Sequence, residues 1–191
     1  MTSERFSATN QEFKLDIRDS IGIEILCSKG AKWLYVSGIE VLKNLFYQLS
    51  PYRGRSLTQE DFARLADESA VLLVAVDLQR NGHIIGIARL VVDRKGDVRC
   101  GIIHDVVVDV AYRGLGIGAS LVRKLVFLSG RFHLDVIELT SKPVREVANH
   151  MYQSLGFKLV LAADPADLES TNHYRLDLTK ATEGGVHGHE T

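Results

Sequence analysis

Cysteine is nearly absent. Cys27 and Cys100 are the only two, too few and too scattered for a disulfide framework or a thiolate zinc site, so the chain suits a reducing compartment. Excess charge is absent too. The 23 basic and 24 acidic side chains leave a formal net charge of −1, with no basic surplus to recruit nucleic acid and no acidic block to read as a tail. No stretch approaches 18 consecutive apolar residues, so no membrane span is predicted. The opening MTSERFSATNQEFKLDIRDS is polar and lacks the apolar region of a secretory signal. What is there is a chain of 191 residues with 46% hydrophobic content, enough for one real core. These features predict a cytoplasmic protein with a single domain over 20–179 and flexible segments at 1–19 and 180–191. His187 and His189 in the last stretch are expected to be solvated, and no metal site is predicted.

Hydrophobic periodicity orders the chain. IGIEILC (21–27) reads as a strand and SGIEVLKNLFYQLS (37–50) as a helix stopped by Pro51. LTQEDFARLADE (57–68) opens on Thr58 with Asp61 three residues on, the pattern of a capping box. AVLLVAVDL (70–78) and HIIGIARLVVD (83–93) read as strands joined through Asn81-Gly82, a hairpin signal. RKGD (94–97) turns into a third strand, CGIIHDVVVDV (100–110). A helix from about Gly116 to Ser129 carries Ile117, Leu121, Val122, Leu125 and Leu128 on one stripe. LDVIELT (134–140) is a strand, and PVREVANHMYQSL (143–155) a helix with Pro143 in its first turn and Gly156 past its end. FKLVLA (157–162) and HYRLDLT (173–179) close the pattern. The order β α α β β β α β α β β predicts an α+β fold: a mixed, mostly antiparallel sheet with helices on both faces and one parallel pair made by the crossover at 103–140.

AYRGLGIGASL (111–121) puts Gly114, Gly116 and Gly118 at the mouth of a helix, where each glycine weakens the helix by about 0.8–1 kcal/mol relative to alanine. A helix N-terminus leaves amide donors unpaired and partly positive. Glycines let such amides converge on an anion, and Arg113 adds a full charge beside them. The turn therefore reads as a phosphate or pyrophosphate cradle, against the plainer explanation of glycines for tight packing. A Walker loop is excluded, because Gly118 is followed by Ala119-Ser120 with no lysine. Gly114-Leu115-Gly116-Ile117-Gly118-Ala119 matches a GxGxxA dinucleotide pattern. However, DVAYR separates it from its strand, and the next strand ends in LTSK rather than in a ribose-binding acid.

VVVDVAYRGLGIGASLV (106–122) and ANHMYQSLGF (148–157) together resemble the GNAT superfamily of acetyl-CoA-dependent N-acetyltransferases. The first fits the family's R/Q-x-x-G-x-G/A loop as Arg113-x-x-Gly116-x-Gly118, and the second its A-x-x-x-Y-x-x-x-G-F helix. The spacing between them fits as well. The resemblance covers 100–160; residues 1–69 match only in outline. It implies a GNAT fold whose two central parallel strands splay apart to bind coenzyme A, with acetyl-CoA as co-substrate. It implies that Val106, Val107 and Val108 flank the pantetheine, Val106 and Val108 through their backbones. The amides of Arg113, Gly114, Leu115, Gly116, Ile117, Gly118 and Ala119 are expected on the pyrophosphate. A homodimer is compatible with it, since many relatives are homodimers.

Acetyl transfer to an amine needs a neutral amine, a donor for the oxyanion and a stabilised leaving thiolate. On a helical wheel, Val144, Ala148, Met151 and Leu155 make a core stripe. Glu146, His150, Gln153 and Ser154 make a wet face. Arg145, Asn149 and Tyr152 share a third edge where the coenzyme could lie. Tyr152 is the candidate partner of the leaving sulfur, against the alternative of a tyrosine packed half into the core. With reference pKa values of about 10 and 8.5, full proton transfer is uphill by about 2 kcal/mol, so Tyr152 either has a lowered pKa or serves as a hydrogen-bond donor. Arg145 stands where many family members have asparagine, and could meet a phosphate or the acceptor instead. IIHDVVV resembles the E-D-V-V-V strand of the glucosamine-6-phosphate acetyltransferase branch, with His104 for the glutamate and Asp105 for the aspartate. The glutamate base of the histone acetyltransferase branch falls at Ile102, which cannot serve. His104 is the candidate base, a water chain its rival, and Asp105 or Glu138 could orient an amine or a water. The acceptor is expected near 37–67, with Tyr47, Tyr52, Arg53 and Arg55. Nothing compels a covalent enzyme intermediate. The alternatives are an acyl-CoA-binding regulatory module of weak activity, and a nucleotide-binding domain reading NAD.

Overall fold

The apolar run VLLVAV forms the heart of the sheet. Its strand, β2 (Val71–Asp77), is buried along its whole length, as a strand covered on both faces must be. In this computed structural model, residues 20–26, 34–50, 58–167 and 169–178 are described. β2 pairs antiparallel with β1 (Ile21–Leu26) and β3 (His83–Lys95), and β3 with β4 (Val98–Val108). β4 then pairs parallel with β5 (Val136–Ser141). The last two strands reverse their chain order: β7 (Asn172–Asp177) pairs with β5 and leaves β6 (Lys158–Leu161) at the edge, so the sheet runs β1-β2-β3-β4-β5-β7-β6.

Alternation along β2 gives the sheet two apolar faces. Leu72, Val74 and Val76 pack with Ile84, Ile87 and Val107 under Leu42, Leu45 and Phe46 of α1 (Leu34–Leu49). Leu65 of α2 (Gln59–Glu68) joins that cluster. Val71, Leu73 and Ala75 face the other way, with Leu90, Ile103 and Ile137. That side is covered by α3 (Ile117–Ser129) through Ile117, Leu121, Val122, Leu125 and Leu128, the stripe expected from spacing. α4 (Glu146–Ser154) completes it. The capping box of α2 is formed: Asp61 N donates to Thr58 Oγ1 at 3.1 Å and Thr58 N to Asp61 Oδ2 at 2.9 Å.

Three local expectations differ. Asn81 and Gly82 are both left-handed (φ 54° and 72°), but a 3-10 turn at Leu78–Arg80 precedes them. The connection from Asp77 to His83 therefore has five residues, not the four left between the expected strands 70–78 and 83–93. α1 starts at Leu34, three residues before the expected start. α4 starts at Glu146, not at Pro143. Arg145 N bonds Lys142 O at 3.0 Å, closing a turn around Pro143 first. That shift takes Val144 out of the helix and leaves it exposed. Cys27, Tyr52, Arg53, Arg55, His187 and His189, and the expectations for 1–19 and 180–191, lie outside the described residues.

Candidate active site

β4 and β5 share only three parallel pairs: Cys100 with Val136, Gly101 with Ile137 and Ile102 with Glu138. Beyond them each strand keeps its other neighbour, β3 for β4 through Val108 and β7 for β5 through Ser141. The two strands thus part, and among the described residues no strand lies against the edge of 103–108 that faces β5. A bulge accompanies the parting. Ile87 pairs with Val107 but Arg89 with His104, so β4 carries one extra residue there. Asp105 is in the left-handed region at φ 54°, and its carboxylate accepts from Arg89 Nε at 2.5 Å. The side chains are 1% and 13% exposed.

The glycine turn follows directly. Asp109 Oδ1 accepts from Ala111 N at 2.8 Å and opens a 3-10 turn at Val110–Tyr112. Gly114 and Gly116 are left-handed, at φ 79° and 76°, which excludes most other residues. Gly116 is the N-cap of α3 and offers no side chain to its amides, so these point out unpaired. A Cβ on Gly114 would have nothing within 4 Å. The cradle is open, and its donors suit the anionic diphosphate of coenzyme A. Gly118 differs: its φ is not positive, and a Cβ would make only ordinary contact with Met151 and Val108.

Sequence reasoning missed what holds this turn. Gln48, at the end of α1, accepts from Val110 N at 2.9 Å and from Arg113 Nη2 at 3.3 Å, and donates to Asp109 Oδ2 at 3.2 Å. Tyr112 OH donates to Asp77 Oδ2 at 2.8 Å and accepts from Arg80 Nη1 at 3.2 Å. These links span more than thirty residues of chain, so no local pattern announces them. Arg113 Nε also donates to Val108 O at 3.0 Å. That carbonyl, expected to serve the pantetheine, is engaged by the chain itself.

The helix edge of Arg145, Asn149 and Tyr152 is not a solvent-facing edge. Asn149 and Tyr152 are the buried residues of α4. Tyr152 is 6% exposed, and its ring lies against Phe157 and Tyr174 at centroid distances of 6.2 and 6.0 Å. Its hydroxyl makes no hydrogen bond among the described residues. Burial is the main reason its pKa is pushed up to about 12, and the charge of Arg145 works against the shift. Arg145 Nη2 donates to Leu49 O at 2.8 Å. The end of α1 is therefore bonded both to the glycine turn and to the start of α4. His104 stands in register with Arg89, on the face that α1 covers. Glu138 bonds Lys95 Nζ at 2.6 Å and lies 3.7 Å from Arg175 Nη1. Lys95 is the largest cause that holds the Glu138 carboxyl below the usual range. Tyr47 is half exposed on α1. No group of three metal-ligating side chains occurs among the described residues, and no helix there is long and apolar enough to cross a membrane.

Residues 39–157 match the model of the acetyltransferase (GNAT) family, more than half of the chain. The chain belongs to the GNAT acetyltransferase family. Acetyl-CoA is the donor that GNAT acetyltransferases use. The chain is 41% identical over 91 residues to glucosamine 6-phosphate N-acetyltransferase 1 of Oryza sativa subsp. japonica, a match covering 43% of this chain and about half, 53%, of that protein. The structure of yncA from Salmonella typhimurium with its cofactor acetyl-CoA superposes with a TM-score of 0.68 at 14% identity, over 84% of this chain and 95% of that one. A Trypanosoma brucei acetyltransferase gives 0.59 at 26% identity, over 78% and 99%. The parting of β4 and β5 is thus the splayed parallel pair that the sequence resemblance implied.

Proposed function

We propose that this GNAT protein moves an acetyl group from acetyl-CoA directly to a primary amine. The observation that carries the reading is the divergence of β4 and β5 beyond Ile102 and Glu138. One strand leads into a left-handed glycine turn and the other into the helix of Tyr152. The coenzyme supplies a thioester; the chain supplies the slot, the proton acceptor and the partner of the leaving sulfur. In this reading the backbone of Val106, Val107 and Val108 borders the pantetheine and the amides of Arg113–Ala119 hold the diphosphate. Arg145 and Asn149 border the slot from the α4 side.

Tyr152 acts as a hydrogen-bond donor. With its pKa at about 12, handing its proton to a thiolate of pKa near 8.5 would be uphill by about 5 kcal/mol, so stabilisation through a shared proton is the workable role. His104 takes the amine proton, directly or through water. Asp105 is committed to Arg89, so its part is to hold the bulge rather than to accept a proton. Cys100 is fully buried, and that burial is the main reason its thiol pKa is raised. This supports direct transfer over a thioester on the enzyme.

Ile102 at one family base position, and the pairing of Asp105, favour a second reading: an acyl-CoA-binding regulatory module with little turnover. One series of measurements separates the two. Acetyl-CoA at 100 times its dissociation constant adds about 2.7 kcal/mol, roughly 5–10 °C in midpoint for a domain of this size, while NAD and ATP leave the midpoint unchanged. An amine panel follows, led by amino-sugar phosphates because the rice relative is a glucosamine 6-phosphate N-acetyltransferase. Turnover of any primary amine supports the enzyme; coenzyme binding without turnover supports the module. A midpoint that moves with NAD and not with acetyl-CoA overturns both.

A further inference from the structure

Arg145 is the N-cap residue of α4, and its side chain makes no cap hydrogen bond. That position favours Asn, Asp, Ser and Thr, whose oxygens accept from the first amides of the helix. A guanidinium has no acceptor, and its charge sits at the positive end of the helix dipole. An arginine here must therefore be held by something other than capping. Its Nη2 donates to Leu49 O at 2.8 Å, a part-buried bond between residues 96 apart in the chain. Leu49 ends α1, so this carbonyl is one that the helix leaves unpaired, at the negative end of its dipole. The backbone of Arg145 is fixed as well. Its N–H donates to Lys142 O at 3.0 Å, and its carbonyl accepts from Asn149 N at 2.9 Å. The guanidinium is thus held by the chain itself, between the end of α1 and the start of α4.

Tyr152 follows Arg145 by seven residues, two turns on along the same edge and about 10 Å along the axis. Burial pushes the Tyr152 pKa up to about 12; the charge of Arg145 opposes that rise and Tyr174 adds to it. Other charges near α4 are directed elsewhere. Glu146 and His150 are exposed, and Lys142 pairs with Glu169 at 2.9 Å. Glu138 and Arg175 stand opposite each other, as do Leu139 and Tyr174. Alternation therefore sends Glu138, His173, Arg175 and Asp177 to the far face of the sheet. On α3, Arg123 bonds Ser120 Oγ at 3.4 Å and Lys124 lies over the Phe127 ring. Resting on the acetyl-transfer reading above, we infer that Arg145 is a positioning residue whose fixed cation strengthens the hydrogen bond from Tyr152 to the departing sulfur. When the tetrahedral intermediate collapses, the carbon–sulfur bond breaks, its electron pair stays on sulfur and the carbonyl re-forms. Tyr152 donates a hydrogen bond to the thiolate and keeps its proton. Arg145 transfers nothing; its field makes that O–H a better donor, which a neutral side chain at 145 would not do.

Two variants separate the charge from the fold. Arg145→Asn supplies a favoured N-cap residue without the charge, and Arg145→Lys keeps the charge. The readout is the thiol of bound coenzyme A, titrated through the ultraviolet absorbance of its thiolate under saturating protein. In R145N the thiol midpoint rises by about one pH unit above that of the wild type, the effect of one charge about 10 Å away at an effective dielectric near 20. In R145K it stays near the wild-type value. In a Tyr152→Phe background R145N moves it much less. An unmoved midpoint in R145N overturns the inference and leaves Arg145 a structural tie, as does an R145K that behaves like R145N. An undiminished rise in the Y152F background also overturns it, because the field would then bypass Tyr152. Arg145→Gln, neutral and longer, carries the same test where R145N does not fold. Failure of the wild type to bind coenzyme A overturns the coenzyme reading itself.

Discussion

Arg89 on β3 and Asp105 on β4 form an ion pair on the bulge where β4 leaves β5. Arg89 Nε donates to Asp105 Oδ2 at 2.5 Å, and Asp105 has φ 54°. A left-handed aspartate costs about 1 kcal/mol or more and persists only when its surroundings hold it. The pair supplies that hold, and it fixes the extra residue that turns the β4 backbone toward the slot. Asp105→Asn keeps a side chain tolerant of this φ but removes the charge and leaves the Arg89 guanidinium uncompensated. Stability should fall by about 2–3 kcal/mol in denaturant unfolding. The KM for acetyl-CoA should rise more than kcat falls. A loss confined to kcat would instead point to Asp105 orienting the amine or a water.

Tyr152→Phe removes only the hydroxyl and leaves the ring packing on Phe157 and Tyr174 intact. Turnover should fall at least ten-fold with acetyl-CoA affinity nearly unchanged; unaltered turnover would remove Tyr152 from the mechanism. The raised pKa also has a consequence for stability. Between about pH 10, where the unfolded tyrosine ionises, and the folded value of about 12, the folded state holds the proton longer. Stability is therefore full below pH 10 and falls as pH rises through that window, by about 2–3 kcal/mol in total. Y152F should flatten that alkaline loss.

The glycines can be told apart by alanine. Gly116→Ala places a Cβ in a left-handed position (φ 76°). It should lose about 1–2 kcal/mol of stability and weaken acetyl-CoA binding. Gly118→Ala meets only Met151 Sδ at 3.5 Å and Val108 Cγ2 at 3.8 Å and should fold normally. Equal midpoints for the two variants would contradict the left-handed turn.

His104→Gln tests the proton acceptor. The expected result is a fall of at least ten-fold in kcat/KM for the amine, loss of the acidic limb of the pH–rate profile, and an unchanged dissociation constant for acetyl-CoA. A retained acidic limb assigns the proton to a water chain.

Gln48→Ala should weaken acetyl-CoA binding although Gln48 lies on the other side of the sheet from α3. It frees Val110 N and Arg113 together. Unchanged affinity would mean that the turn holds its shape without Gln48, through Tyr112–Asp77, Arg113–Val108 and Ala111–Asp109.

The sequence determined the local elements and the glycine turn, because these rest on short-range rules. Thr58 and Asp61 cap a helix from three residues apart. The 117–128 stripe follows from a 3.6-residue period, and Gly114 and Gly116 mark backbone that few other residues adopt. Only the tertiary structure decided the rest. A helical wheel begun at Pro143 made Tyr152 an edge residue. The turn around Pro143 delayed the helix to Glu146, and packing on Phe157 and Tyr174 buried the ring. Asp105 read as a residue that could orient an amine or a water; its partner, Arg89, lies sixteen residues away on the neighbouring strand. The insertion of β7 between β5 and β6 and the hold of Gln48 on the glycine turn depend on residues far apart in the chain. Their meeting is set by how the strands pair and part in space, which no local period encodes.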